Sequence, residues 1–166
     1  MPSLPGPDTA PDAPRVVLDS NVWIDILVFN DMATRPIHDA LRRRALHAVI
    51  DARCLAELSY VLDYPQFMRR AVDKAAALTH VAQLSTMTEH AAPLVETALL
   101  PRCKDRDDQK FLELAHAAQV DWLVSKDRAL LKLAKRTARD FGFRIAQPAP
   151  FAAACQLHES LRESTA

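Results

Sequence analysis

The chain has 166 residues, of which 49% are hydrophobic and 25% are charged, a balance typical of one soluble globular domain. Its 21 basic and 21 acidic residues cancel, which excludes the long-range attraction of a basic protein for nucleic acids and leaves phosphate contacts to local groups. Its three cysteines form no C-x-x-C pair, which argues against a disulfide framework or a thiolate zinc site.

The ends of the chain differ in composition from its middle. Five of the eleven prolines fall in the first fourteen residues, which predicts an extended, poorly ordered leader over 1–14. We expect a single folded domain over 15–158 and a C-terminal tail over 159–166. Because the sequence shows neither an apolar run of membrane-spanning length nor a secretory signal, we expect no membrane association and a cytoplasmic location.

Apolar runs of strand length alternate with longer amphipathic stretches, which is the rhythm of an α/β fold. The predicted strands are apolar at successive positions, as in a parallel sheet covered by helices on both faces. Gly142 stands where a helix C-cap needs positive φ. In chain order we expect a strand at 16–18, a helix at 22–29, a strand at 46–50, helices at 52–62, 73–87 and 107–118, a strand at 122–124, a helix at 127–140 and a strand at 143–145.

Polar residues directly follow two of these strands. The first strand is followed by Asp19-Ser20-Asn21, and the later one by Ser125-Lys126-Asp127. In open parallel sheets, ligands bind beyond the carboxyl ends of the strands, so these side chains are candidate site residues. Because Asp, Ser and Asn are also favoured N-cap residues, capping of the next helix is an equal alternative for either segment alone. The recurrence of the pattern in one sheet favours a site.

Two further carboxylates lie on inward-facing helical stripes. Helical spacing places Glu57 on the face of Leu58, and Asp108 on the face of Phe111. The alternative for Glu57 is a position at the edge of the stripe, where its carboxylate reaches water. The alternative for Asp108, and for its neighbour Asp105, is stabilisation of the helix dipole by acids in the first turn.

A cluster of four carboxylates is therefore predicted at one edge of the sheet. Such a cluster repels itself unless cations neutralise it, and hard oxygen ligands select Mg²⁺ or Mn²⁺. The sequence contains no P-loop, dinucleotide-binding fingerprint, H-E-x-x-H or Gly-flanked nucleophilic Ser, and only two glycines. The four acids are Asp19, Glu57, Asp108 and Asp127.

The order of the motifs resembles the PIN-domain ribonucleases. The motifs are V-V-L-D-S-N-V-W at the first strand, then L-A-E-L, then C-K-D-R-D-D-Q-K-F-L-E-L-A, then D-W-L-V-S-K-D, and the resemblance covers about residues 15–151. It is nearest to the bacterial branch described as toxin components of toxin–antitoxin pairs. It implies a single PIN-like domain of three αβα layers around a central parallel sheet with strand order 3-2-1-4-5.

The resemblance also implies roles for individual residues. The four acids match the family's metal-binding acids, with Asp19 as a bridging ligand, Asp108 and Asp127 as co-ligands, and Glu57 as a ligand through water or an orienter of the nucleophile. Asp105 matches a further acidic position. Around them, Ser20 and Ser125 replace a frequent Thr, Gln109 replaces a frequent Asp, Lys126 replaces a frequent Gly, and Asn21 completes the D-S-N opening. The serines would orient the attacking water, and Lys126 would affect how a substrate phosphate is held.

The implied function is that of a Mg²⁺- or Mn²⁺-dependent endoribonuclease that leaves 5′-phosphate and 3′-hydroxyl ends. The implied partners are an RNA substrate and an antitoxin protein. We further expect a homodimer or higher homo-oligomer, since small domains commonly associate through symmetric patches.

Two other functions stay open at this point. One is a PIN scaffold that binds RNA or protein without catalysis, although four intact acids argue against degeneration. The other is a haloacid-dehalogenase-like phosphatase with Asp19 as nucleophile. That class needs a second Asp two positions later, where this chain has Asn21.

Overall fold

The computed structural model describes residues 13–89 and 100–157 and contains a five-stranded parallel sheet flanked by helices. The strand order is β3-β2-β1-β4-β5, so the expected 3-2-1-4-5 arrangement is confirmed. The strands are β1 (Arg15–Leu18), β2 (His47–Ile50), β3 (Ser85–Met87), β4 (Trp122–Val124) and β5 (Arg144–Ala146).

The position of β1 in this order matters most for function. Its chain neighbour β2 lies on one side and β4 lies on the other, so the connections after β1 and β4 leave the sheet in opposite directions. Such a switch point opens a crevice beyond the carboxyl ends of the two strands. Leu18 pairs with Val124 in register, which places Asp19 and Ser125 next to each other at the mouth of this crevice.

The helices that pack on the sheet are short. Helix α1 continues directly into a π-helical segment, and two short 3₁₀ turns precede α2 and α6. The elements are α1 (Ser20–Ile24), the π-helical segment (Asp25–Phe29), a 3₁₀ turn (Met32–Thr34), α2 (Arg35–Arg42), α3 (Ala52–Leu62), α4 (Pro65–Met68), α5 (Lys74–Leu84), a second 3₁₀ turn (Arg106–Asp108), α6 (Gln109–Ala117), α7 (Arg128–Leu131), α8 (Ala134–Asp140) and α9 (Pro148–Ala154).

Several predicted elements need correction. The helix expected at 73–87 ends at Leu84, because Ser85 turns to an extended backbone and the next residues pair with β2 as β3. The helix expected at 127–140 is interrupted between α7 and α8. Helices α2, α4 and α9 were not predicted. Gly142 has φ of +81°, as its C-cap position requires.

β1, β4 and α6 belong to one apolar core. Val16, Val17 and Leu18 are at most 2% exposed, so successive residues are buried on both faces of the sheet, as expected for a parallel strand. Phe111 and Leu112 of α6 belong to the same core, and this packing anchors the helix that begins at Asp108. The core therefore holds the two strand ends and the start of α6 in fixed positions.

Parts of the predicted organisation lie outside the described residues. The leader predicted over 1–14 is described only at its last two residues, and the tail predicted over 159–166 is not described. Among the described helices, none has the length and apolar character needed to cross a bilayer.

Candidate active site

Asp19 lies at the end of β1 with its side chain turned into the crevice. Its backbone N–H still pairs with the carbonyl of Val124 at 3.0 Å, and it occupies the N-cap of α1 without a side-chain capping hydrogen bond. Instead, its Oδ2 accepts a hydrogen bond from Ser125 Oγ at 2.6 Å and one from Asn21 Nδ2 at 3.3 Å. The carboxylate is 4% exposed, so these two donors replace most of its water.

The pKa of Asp19 reflects this burial. Desolvation raises the pKa from its usual value to about 6. The hydrogen bond from Ser125 opposes the rise, whereas the negative charges of Glu57 and Asp127 add to it. Burial and the neighbouring acids thus bring the pKa of Asp19 much closer to neutral pH than that of an ordinary aspartate.

Ser125 links Asp19 to Asp127. Its hydroxyl donates to Asp19 and accepts from the backbone N–H of Asp127 at 2.9 Å, and the residue is fully buried. Asp127 caps α7, because its Oδ1 accepts from the N–H of Ala129 at 2.8 Å. Its second oxygen is free of this cap, so the same residue both starts a helix and belongs to a group of neighbouring acids. We refer to this group, Asp19, Asp105, Asp108 and Asp127, as the acid cluster.

Asp108 approaches from the 3₁₀ turn before α6. One carboxylate oxygen of each of Asp105, Asp108 and Asp127 lies within 4.8 Å of the others. Burial raises the pKa of Asp108 well above its usual range, and the carboxylates of Asp127, Asp19 and Asp105 raise it further. The adjoining Asp108 carboxyl in turn holds the pKa of Asp127 below its usual range. Asp105 is exposed and also caps the 3₁₀ turn through the N–H of Asp107 at 3.0 Å.

Glu57 enters from the second turn of α3 and has two donors. Its Oε2 accepts from Ser20 Oγ at 2.5 Å, and its Oε1 accepts from Lys110 Nζ at 2.6 Å. The sequence reasoning did not identify Lys110. A signal was available, since a lysine in the first turn of α6 faces an unfavourable helix dipole and therefore needs another reason to be there.

Lys126 is turned toward a residue that the sequence reasoning also missed. Its ammonium pairs with Oδ2 of Asp25 at 2.5 Å. Asp25 is buried at the start of the π-helical segment, and such segments often occur at functional sites. The lysine that we expected near a substrate phosphate thus has a carboxylate partner.

A third strand also ends in an aspartate. Asp51 follows β2, is 1% exposed, and caps α3 by accepting from the N–H of Cys54 at 2.9 Å. Arg53 lies 3.3 Å from Asp51 and 2.6 Å from Glu113, so a cation is paired with both acids. We refer to these three charged residues, Asp51, Arg53 and Glu113, as the Asp51 network.

The acid cluster suits a hard divalent cation. Its donors are carboxylate oxygens, the type that Mg²⁺ and Mn²⁺ prefer. Oδ2 of Asp108 is buried and has no hydrogen-bond partner among the described residues. Within the same part of the chain, none of the four aspartates of the cluster forms a salt bridge with Lys or Arg, and Lys110 is paired with Glu57. These four are Asp19, Asp105, Asp108 and Asp127. The last three have carboxylate oxygens within 4.8 Å of one another, and Asp19 adjoins them without belonging to that group.

Comparison with known families identifies the family of this chain. A family model described as a PIN domain matches residues 15–129, which is more than half of the chain and includes every acid of the cluster. No curated protein matches the sequence.

Proposed function

The chain belongs to the PIN-domain family, whose members are generally nucleases, and on this premise we propose that it is a metal-dependent endoribonuclease. The observation that carries the proposal is the convergence of Asp19, Asp108 and Asp127 where β1 and β4 end, with a buried oxygen of Asp108 left without a partner among the described residues. The family match favours this function over a phosphatase that uses Asp19 as nucleophile.

Asp19, Asp108 and Asp127 would hold Mg²⁺ or Mn²⁺, with Asp105 at the exposed rim. A divalent cation at this position lowers the pKa of a water molecule and neutralises the charge that develops on the phosphate and the leaving oxygen. Bringing a phosphodiester to bare carboxylates would otherwise be unfavourable, because both carry negative charge.

The protein side chains then have distinct tasks. Ser125 fixes the orientation of Asp19, since its hydroxyl is itself held by the N–H of Asp127. Ser20 and Lys110 hold the two oxygens of Glu57, which orients the attacking water. Attack at phosphorus breaks the bond to the 3′ oxygen, which leaves a 5′-phosphate and a 3′-hydroxyl. Asn21 and Lys126 border this region through Asp19 and Asp25.

The biological role that we propose is that of a toxin controlled by an antitoxin protein, in a homodimer or higher homo-oligomer. The resemblance to the bacterial toxin branch supports the role and the partner. Light scattering on the purified chain tests self-association, and a monomer at micromolar concentration would contradict it. Copurification from the native host tests the partner, and repeated recovery of active protein without a small bound protein would contradict the toxin role alone.

The experiment for the chemistry is an RNA cleavage assay over a broad panel of single-stranded RNAs. We expect cleavage with Mg²⁺ or Mn²⁺, no cleavage with EDTA, and 5′-phosphate ends on the products. Asp19→Asn serves as the inactive control. If the wild type and Asp19→Asn are equally silent with every RNA and metal, the chain is not a ribonuclease and the binding function is favoured.

A further inference from the structure

Two exposed tyrosines lie on or just after α3, the helix that carries Glu57, and the Glu57 carboxylate in turn acts on Asp19 of the acid cluster. Tyr60 follows Glu57 by three residues on α3, which corresponds to an axial rise of about 4.5 Å and to adjacent positions on the helix surface. Tyr64 lies just beyond the end of α3, and its ring packs edge-on against that of Tyr60, with centroids 5.6 Å apart. A continuous path on the surface thus leads from Glu57 to Tyr60 and then to Tyr64.

The exposure of these rings is unusual for aromatic side chains. Tyr60 is 68% exposed and Tyr64 is 39% exposed. Because the two rings meet at 85°, one ring's edge is turned toward the other, and much of the Tyr60 ring stays open to solvent. Neither hydroxyl has a hydrogen-bond partner in the described part of the chain, so the two tyrosines meet only through their rings. Open aromatic rings of this kind offer surfaces on which nucleic-acid bases stack.

The charge around the rings favours RNA over an apolar protein surface. Asp63, between the two tyrosines in sequence, is neutralised by Lys74 at 2.7 Å. Arg69 and Arg70 follow at the end of α4, and both are exposed and form no salt bridge with a described residue. We refer to the surface formed by the stretch from Tyr60 to Arg70 as the corner. The guanidinium of Arg70 lies over the ring of Phe29, 4.8 Å from its centroid. The corner therefore presents aromatic rings with unneutralised positive charge, the combination typical of single-strand binding surfaces.

The zero net charge of the chain adds a reason for such a surface. Long-range attraction cannot concentrate RNA on this protein, so affinity has to come from local contacts. We propose that Tyr60 and Tyr64 form a base-stacking platform that holds single-stranded RNA beside the acid cluster. This inference rests on the proposed ribonuclease function and names how that site takes its substrate. A duplex, whose bases are already stacked on each other, would not use the platform.

The chain offers a specific probe, because Tyr60 and Tyr64 are its only two tyrosines. Full-length protein labelled with 3-fluorotyrosine should give two ¹⁹F resonances, both from the platform. We expect both to shift when a short single-stranded RNA is added with Mg²⁺ to the inactive Asp19→Asn variant, and to stay in place with a duplex of the same composition. Resonances that do not move while the RNA is shown by anisotropy to be bound would overturn the proposal.

Substitutions supply the quantitative test. Tyr60→Ala should weaken RNA binding by roughly tenfold and raise KM for cleavage with little change in kcat, since base–aromatic stacking contributes on this scale. Tyr60→Phe, which keeps the ring, should restore the affinity. Met68→Ala is the matched control, because Met68 is also 68% exposed on the same corner but carries no ring. Circular dichroism and thermal melts of each variant check that the fold is intact.

The possible results separate this inference from the ribonuclease assignment. RNA-dependent shifts without cleavage would support the platform and contradict the nuclease. Cleavage with wild-type KM in Tyr60→Ala would support the nuclease and overturn the platform. If Met68→Ala weakens RNA binding as much as Tyr60→Ala, RNA binding does not depend on the aromatic rings and the proposal is wrong. If the ¹⁹F resonances move with protein concentration alone, the corner is a self-association surface and the proposal is also wrong.

Discussion

Two strands in this molecule are each followed by a buried aspartate at a helix N-cap, but the two carboxylates have different partners. Asp51 after β2 and Asp19 after β1 both follow a buried strand, both occupy the N-cap of a helix, and both are at most 4% exposed. Asp51 uses its carboxylate to cap α3 and has a cation at 3.3 Å. Asp19 makes no capping bond and faces other acids. An N-cap position therefore does not decide the role of an aspartate.

The difference follows from the position of each strand in the sheet. β2 lies between β1 and β3, whereas β1 borders the switch point with β4. At the switch point, segments from distant parts of the chain bring Ser125 and Asp127 against Asp19, and Asp108 approaches from the start of α6. Around Asp51, the neighbours are Arg53 and Glu113, so a cation pairs with both acids of the Asp51 network. In the described part of the chain, no Lys or Arg pairs with the four aspartates at the switch point.

The largest expected effect comes from replacing the two aspartates in turn. Asp19→Asn should reduce RNA cleavage by about 100-fold or more and, without metal, raise the stability by about 1–2 kcal/mol, because it removes a charge that burial and neighbouring acids disfavour. Asp51→Asn should leave cleavage unchanged and lower the stability by about 1–3 kcal/mol, because it leaves Arg53 short of a partner.

Cleavage rates measured with Mg²⁺ check the effects on activity, and urea unfolding in EDTA checks the effects on stability. If Asp19→Asn instead unfolds more easily than the wild type without metal, the Asp19 carboxylate is a structural group like that of Asp51. The assignment of the acid cluster as a metal site would then fail.

The second effect is on the pH dependence of stability. Without metal, the raised pKa values of Asp19 and Asp108 mean that the folded state keeps protons that the unfolded chain has released. Their stabilisation is full below about pH 4 and is lost as the pH rises, by about pH 6 for Asp19 and at higher pH for Asp108. Burial lowers the pKa values of His38 and His47, whose contribution has the opposite sign and is lost as the pH falls.

Thermal melts in EDTA between pH 6 and 8 should separate these contributions. The wild type should lose more stability over this range than Asp108→Asn, and saturating Mg²⁺ should remove most of the difference. Equal slopes for the two proteins would mean that the Asp108 carboxyl does not take up a proton in the folded state.

The sequence predicted some parts of this structure because those parts depend on local pattern. β1 and β4 are continuous apolar runs, and the acids at their ends stand directly after them. β3 has no such pattern, since Ser85, Thr86 and Met87 form a strand only through pairing with β2. Lys110 and Asp25 could not be predicted as site residues from local pattern, because their partners Glu57 and Lys126 are far away in sequence. The roles of the site residues stay predictions.

A smaller effect is expected from the cations of the two regions. Lys110→Met should lower kcat by about tenfold, because Glu57 then loses the donor that fixes one of its oxygens. Arg53→Met is the matched control in the Asp51 network, and it should reduce stability while leaving kcat at the wild-type value. Single-turnover cleavage together with melting temperatures measures both properties. Equal loss of kcat in the two variants would show that Lys110 acts only through the stability of the fold.

The smallest effect should come from Glu113→Gln at the outer end of the Asp51 network. Glu113 is 32% exposed at its side chain and contacts Arg53 at 2.6 Å, so water screens this pair and its contribution should be below about 1 kcal/mol. Arg53 keeps Asp51 as a partner in this variant, and the cap on α3 is untouched. Urea unfolding of Glu113→Gln and Asp51→Asn side by side measures the difference. A loss as large as that of Asp51→Asn would mean that the outer pair, and not the buried cap, stabilises this strand end.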